Sequence, residues 1–183
     1  MKKSVIVSQY SELPPLVAAI RKKGKTLVLT QGTFDMLHIG HARYLELAKS
    51  HGDVLFVGVD SDAKVRARKG PDRPVVPEEE RTEMLTYLTS VDYVVLKPEI
   101  TPKWELIKII RPDVLIATDQ TYTAQELREL KKICGTVIVV EPMATTSTSA
   151  KIRRVQIGAA KKMSTALSTK LIKAIEDALE ELK

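Results

Sequence analysis

The chain is predicted to fold as an α/β domain, a doubly wound parallel sheet of about five strands with an added C-terminal helix. Three observations lead there. Short apolar runs alternate with segments of helical spacing. The runs are rich in Val, Leu and Ile without polar alternation, as in strands covered on both faces. Unusual polar stretches come directly after the runs, as they do where ligands bind beyond the carboxyl ends of parallel strands. A length of 183 residues suits one well-covered core. Hydrophobic content of 44% with mixed charges argues for a globular chain and against disorder. The net charge of +6 suits nucleic acid, a membrane surface or a phosphorylated small molecule alike.

In order, Met1-Lys2-Lys3 begins like a signal peptide, but the apolar run at 5–7 is too short for one. No run is long enough to span a membrane. A single cysteine, Cys134, excludes an internal disulfide, and its apolar surroundings suit a small core residue. A cytoplasmic protein is expected. Residues 11–23 read as a helix with Leu16, Ala19 and Ile20 on one face, ended by Lys22-Lys23-Gly24. Strands are expected at 26–30, 54–59, 93–96, 113–116 and 136–140, and helices at 41–50, 77–89, 102–110 and 123–133. The arrangement is Rossmann-like. Residues 32–41, Asp60-Ser61-Asp62, Thr118-Asp119-Gln120 and 145–149 each come after an apolar run, so they converge on one rim.

Residues 32–41 read Gly-Thr-Phe-Asp-Met-Leu-His-Ile-Gly-His. A strand feeds a tight glycine turn and then a helix start that carries two of the three histidines, His38 and His41. The first amides of a helix lack intrahelical partners and lie at the positive end of its dipole, so phosphate is attracted there. The imidazoles are candidates for holding a nucleotide's phosphates during a transfer reaction. Lys64, Arg66, Arg68, Lys69 and Arg73 surround the Gly70-Pro71 turn. Charge runs are commonly solvated faces. This one leaves the second strand on the ligand rim and reads as a mobile basic loop closing over polyphosphate. Thr145-Thr146-Ser147-Thr148-Ser149 precedes a short helix at 150–155. Capping needs one such hydroxyl; the others suit phosphate, with Lys151, Arg153 and Arg154 nearby.

The tail from 161 reads as a separate amphipathic helix, with Leu167, Leu171, Ile175, Leu179 and Leu182 on one stripe. Its lysines come early and its glutamates late, against the macrodipole, so packing is expected to hold it. The stripe suits docking on its own domain or on a second subunit, and a homodimer contact is the preferred expectation.

His38 and His41 lack enough further Cys or His partners for a zinc site, and no P-loop or nucleophile elbow is present. His38-Ile39-Gly40-His41 and Lys162-Met163-Ser164-Thr165 imitate class I aminoacyl-tRNA synthetase signatures, but the second motif is incomplete and no tRNA-binding domain fits. Residues 32–41 more closely resemble the GxFDxxHxGH motif of cytidylyltransferase-like nucleotidyltransferases. Ser147-Thr148-Ser149-Ala150-Lys151-Ile152 resembles their STSxxI motif. Within that superfamily the chain is most similar to the nucleotidyltransferase domain of ADP-heptose synthases. The similarity runs from about 16 to 155, through Lys69-Gly70-Pro71, Arg73-Pro74-Val75, Arg81 and Arg111-Pro112-Asp113. It departs at Gln31, where the family has asparagine, and at Ala117-Thr118-Asp119-Gln120-Thr121-Tyr122, which replaces the family's KGGDY.

The resemblance implies a nucleotidyltransferase domain over 1–158, with the C-terminal amphipathic helix over 159–183 after it. It implies transfer of AMP from ATP to a sugar 1-phosphate such as heptose 1-phosphate, with pyrophosphate released. CTP with a polyol phosphate such as glycerol 3-phosphate is the alternative, as is a non-catalytic nucleotide- or RNA-binding relative. His38, His41 and Lys69 would be the catalytic groups. Thr33, Phe34, Gly40, Asp119, Ser147, Thr148 and Ser149 would bind nucleotide. Asp35, Arg73 and Arg81 would serve acceptor or phosphate, with Asp35 equally suited to fixing the turn. Mg2+ is expected on the nucleotide phosphates, without a dedicated protein ligand. Neither membrane nor nucleic acid is an expected partner.

Overall fold

In a computed structural model, the structure describes residues 4–118, 121–141, 143 and 148–180. The chain divides into two compact units, residues 1–144 and 145–183.

The first unit is an open sheet. Its strands are β1 Val5–Val7, β2 Leu27–Gly32, β3 Val54–Asp60, β4 Tyr93–Lys97, β5 Val114–Thr118 and β6 Thr136–Val140. Their order is β1-β4-β3-β2-β5-β6, and every pairing is parallel. The helices are α1 Leu13–Lys22, α2 Ile39–Ser50, α3 Asp62–Lys69, α4 Glu78–Thr86, α5 Glu105–Ile110 and α6 Ala124–Leu130. The five expected strands are present. The sixth, β1, is the run at 5–7, which carries too few residues to read as a strand and pairs only at the sheet edge, with β4.

Alternate residues of each strand feed two cores, which is why the runs contain no polar alternation. Leu27, Leu29, Phe56 and Leu115 pack with α1, α5 and α6 through Leu13, Val17, Ile20, Leu106, Ile107, Ile110 and Leu130. Val28, Leu55, Val57, Val59, Val94 and Ile116 pack on the opposite face with Leu45 and Ala48 of α2 and Leu85 of α4. The buried stripe of α1 is therefore Leu13, Val17 and Ile20; Ala19 faces water and Leu16 is half-buried. Cys134 is a buried core residue.

At the amino edge, aspartates join neighbouring strands. Asp113 accepts from the Leu27 amide at 2.7 Å, and Asp92 accepts from the Leu55 amide at 2.9 Å. The order in which strands are added reverses at β2. The chain moves outward through β3 and β4, then returns to lay β5 on the other side. The carboxyl ends of β2 and β5 therefore form the switch point at which open α/β sheets bind ligands.

The second unit contains α7, a helix from Thr148–Glu180. The two expected helices at 150–155 and in the tail are one. No glycine-proline break separates them, and the expected boundary at 158/159 lies inside this helix.

Candidate functional site

Beyond β2 the chain makes a tight turn into α2. Phe34 and Met36 both take left-handed backbone conformations, with φ 52° and 48°. Each such residue costs about 1–3 kcal/mol, so the surroundings must hold it. Asp35, between them, is 3% exposed. Its carboxylate accepts from the Val75 amide at 3.1 Å and the Val76 amide at 3.0 Å, and pairs with Arg73 Nη2 at 2.8 Å. Arg81, 1% exposed, donates to the Thr33 and Val76 carbonyls, to the Asp60 carbonyl and to the Asp62 carboxylate.

Helix α2 starts on histidine. The His38 Nδ1 accepts from the Gly40 amide at 3.1 Å, and the His41 Nδ1 accepts from the His38 amide at 3.3 Å. This is a reciprocal cap built from imidazoles, where hydroxyls or carboxylates usually serve. A ring nitrogen that accepts carries no proton, so each neutral ring bears its hydrogen on Nε2. The ring centroids are 4.0 Å apart and the planes 30° from parallel. Two adjacent Nε2–H donors at the start of a helix suit the oxygens of a phosphoryl group.

Cations surround this turn. Asp60, at the end of β3, accepts from Arg68 Nη2 at 2.8 Å and from Lys97 Nζ at 3.0 Å. Arg68 Nη2 also donates to Thr33 Oγ1 at 2.9 Å. Burial lowers the Lys97 pKa, and the Asp60 carboxylate opposes that shift. Lys69 ends α3; burial lowers its pKa, and the neighbouring positive charges of Arg68 and Arg73 lower it further. Among the described residues, Lys69 makes no hydrogen bond or ion pair. The Nε of Arg73 is buried and has no partner there.

Several expected roles change on this geometry. The basic segment is helical through Lys69, with Arg68 and Arg73 each tied to a buried aspartate, so the free loop expected there is absent from this arrangement. Arg81 is committed to protein acceptors and clamps the turn; no exposed face is left for acceptor or triphosphate. Asp35 likewise fixes the turn, through the amides of a distant segment. The Gly40 amide is engaged by the cap. Thr33 and Phe34 are buried at the turn. Asp119 and Ser147 lie outside the described residues, as do the side chains of Thr148 and Ser149. Sequence reasoning missed Lys97 and the hub role of Asp60. Asp60 carried a signal, its place at a strand's carboxyl end; Lys97 carried none.

The opposite wall is the carboxyl end of β5 together with Thr121 and Tyr122. Gln31 Nε2 donates to the Tyr122 hydroxyl at 3.1 Å, across the switch point, and burial pushes the Tyr122 pKa up. Thr118 and Thr121 join their hydroxyls at 2.7 Å. Beneath them Tyr44 and Thr30 share a hydrogen bond and both reach the Ile116 carbonyl, and burial pushes the Tyr44 pKa to about 12.

The family model described as Cytidylyltransferase-like matches residues 29–175. The chain belongs to this family. Residues 29–175 contain the carboxyl end of β2, the histidine-capped α2 and most of α7, so the cytidylyltransferase-like match covers both motifs singled out in the sequence. One relative is "Bifunctional protein HldE" of Nitratiruptor sp., 41% identical over 149 residues, which are 80% of this chain and 32% of that protein. Another HldE, from Syntrophotalea carbinolica, is 42% identical over 139 residues, 74% of this chain and 28% of that protein. The chain thus spans about a third of the length of the curated relatives it matches. Among solved structures, a lipopolysaccharide core biosynthesis protein from Thermoplasma volcanium superposes with a TM-score of 0.54 and 32% identity, over 65% of this chain and 97% of that one. A pantoate-beta-alanine ligase from Francisella tularensis, at 19% identity and a TM-score of 0.57, covers 80% of this chain and 69% of its own. At that identity it speaks for the fold alone.

Proposed function

We propose that the chain transfers AMP from ATP to a sugar 1-phosphate, heptose 1-phosphate being the chosen acceptor, and releases pyrophosphate. The observation that carries this reading is the His38–His41 pair, two Nε2–H donors at the start of α2 in a cytidylyltransferase-like chain. The sugar is chosen on the motif resemblance to ADP-heptose synthases and on the relatives named HldE.

Attack by the acceptor's phosphate oxygen on the α-phosphorus, in line with departing pyrophosphate, needs alignment and positive potential more than covalent help. His38 and His41 would donate to the α-phosphate and bridging oxygens as the leaving group gains charge. Lys69, which makes no hydrogen bond or ion pair among the described residues, would meet the α-phosphate or the acceptor phosphate. On the motif resemblance alone, Ser147, Thr148, Ser149 and Asp119 are further candidates for binding nucleotide. Asp35 and Asp60 are taken by arginine and lysine, so Mg2+ would be held by phosphate oxygens, where it neutralises triphosphate charge. Among the described residues no helix is long and apolar enough to cross a membrane. A cytoplasmic homodimer belongs to the same proposal.

The test is pyrophosphate release from ATP with heptose 1-phosphate, against CTP with glycerol 3-phosphate. His38→Ala and His41→Ala should each lower turnover by about a hundredfold or more, as for a lost oxyanion donor. Undiminished turnover in both variants, or a preference for the CTP pair, overturns the reading.

A further inference from the structure

We infer that α7 pairs with α7 of a second copy of this chain, antiparallel, with Ile157 of one level with Ala174 of the other. The inference rests on the second unit alone and holds whatever the first unit catalyses. Positions 157, 160, 164, 167, 171 and 174 recur at alternating spacings of three and four, the seam of a two-helix coil. Ile157, Leu167 and Leu171 on that seam are 59%, 65% and 64% exposed, and Met163 beside it is 66% exposed. Val155 and Ile172 are exposed off the seam.

Two independent features select the occupant and its direction. The first is size. Brought together head to tail about a point between Ser164 and Leu167, the seam pairs Ile157 with Ala174, Leu171 with Ala160 and Leu167 with Ser164. Every layer then joins one large residue with one small one, which fills the space between helices evenly. A parallel pairing in register would put leucine against leucine in some layers and serine or alanine against itself in others.

The second feature is charge. Positions 148–175 hold Lys151, Arg153, Arg154, Lys161, Lys162, Lys170 and Lys173 and no acid, whereas Glu176, Asp177 and Glu180 crowd the end. That order opposes the helix's own dipole. In the antiparallel pair the acidic end with Asp177 and Glu180 runs alongside the partner's basic start with Lys151 and Arg154, so the two ends meet as blocks of opposite charge. Asp177 with Arg154, like Lys161 with Lys170, comes level on opposite flanks of the seam, so the attraction is between helix ends and not between paired side chains. A parallel pair would set basic start on basic start and acidic end on acidic end.

The whole chain should elute at twice its own mass by light scattering, and Leu167→Glu with Leu171→Glu should return it to a single copy while the thermal transition of the sheet unit is retained. In a Cys134→Ala background, chains carrying Ile157→Cys and Ala174→Cys should cross-link with each other when mixed, and neither with itself. A monomeric wild-type chain, a dimer indifferent to the glutamate pair, or self-linking of the Ile157→Cys chain overturns the inference.

Discussion

The guanidinium of Arg73 meets the carboxylate of Asp35 at 2.8 Å, joining the segment after α3 to the turn before α2. Both side chains are largely withdrawn from water, at 13% and 2% exposure. Removing one partner of such a pair leaves an uncompensated charge, which typically costs about 3–5 kcal/mol. Asp35→Ala should therefore destabilise the chain by about 3 kcal/mol or more in urea unfolding, since the Val75 and Val76 amides lose their acceptor as well. The double variant Asp35→Ala with Arg73→Ala should cost less than the sum of the singles. Additive losses would mean the pair is not coupled.

Arg81 spans four acceptors with one planar fork, and lysine cannot. Arg81→Lys should lower the unfolding free energy in urea nearly as far as Arg81→Ala, by roughly 3 kcal/mol or more. A lysine variant with the wild-type midpoint would show that charge alone suffices at this position.

Lys69 is predicted to react early with an amine-acylating reagent at mildly alkaline pH, ahead of the equally exposed Lys22, because its ammonium deprotonates below the ordinary value of 10.5. Peptide mass spectrometry reads the order, and ATP should protect Lys69. Proton linkage sets the sign for stability. Between the lowered native pKa and 10.5, the unfolded chain holds a proton that the native chain has lost, so this group's contribution rises with pH. Below both values the cost of partly desolvating the cation beside Arg68 and Arg73 is present in full. Equal labelling of Lys69 and Lys22 would contradict the lowered pKa.

Tyr122→Phe removes the acceptor of the Gln31 amide at the switch point. The expected loss of stability is about 1 kcal/mol, that of one ordinary hydrogen bond. On the proposed reaction, the ratio of kcat/KM for ATP over CTP should fall, because this bond ties β2 to the wall opposite the histidines. A ratio unchanged by Tyr122→Phe would separate that wall from base choice.

The sheet was legible because buried parallel strands betray themselves as unbroken apolar runs, and Leu27 to Leu29 illustrates how both faces are filled at once. The histidine turn was legible because its residues are adjacent in sequence. Its surroundings were not. Arg81 and Arg73 read as ligand-seeking cations in the sequence, and only their burial beside Thr33, Asp60 and Asp35 assigns them to the protein's interior. Lys97 reaches Asp60 only through the β3–β4 register, which no local pattern records. The fusion of two expected helices into α7 escaped notice because the charge pattern changes along the helix while its backbone does not.

The central strand acquires its neighbours at different times. Leu27 to Gly32 of β2 pair with Val54 to Val59 of β3, close by in the chain, whereas Val28 to Thr30 must wait for Val114 to Ile116 of β5. Closing the longer loop costs more entropy, and during synthesis β5 is made later. The histidine turn and its buried arginines are therefore complete in sequence before the wall carrying Tyr122 has left the ribosome. In pulsed hydrogen exchange during refolding, amides of β2 and β3 should gain protection before those of β5 and β6. The half of the site that grips phosphate is an early folding unit, and the half facing it is an appendix added to a finished platform.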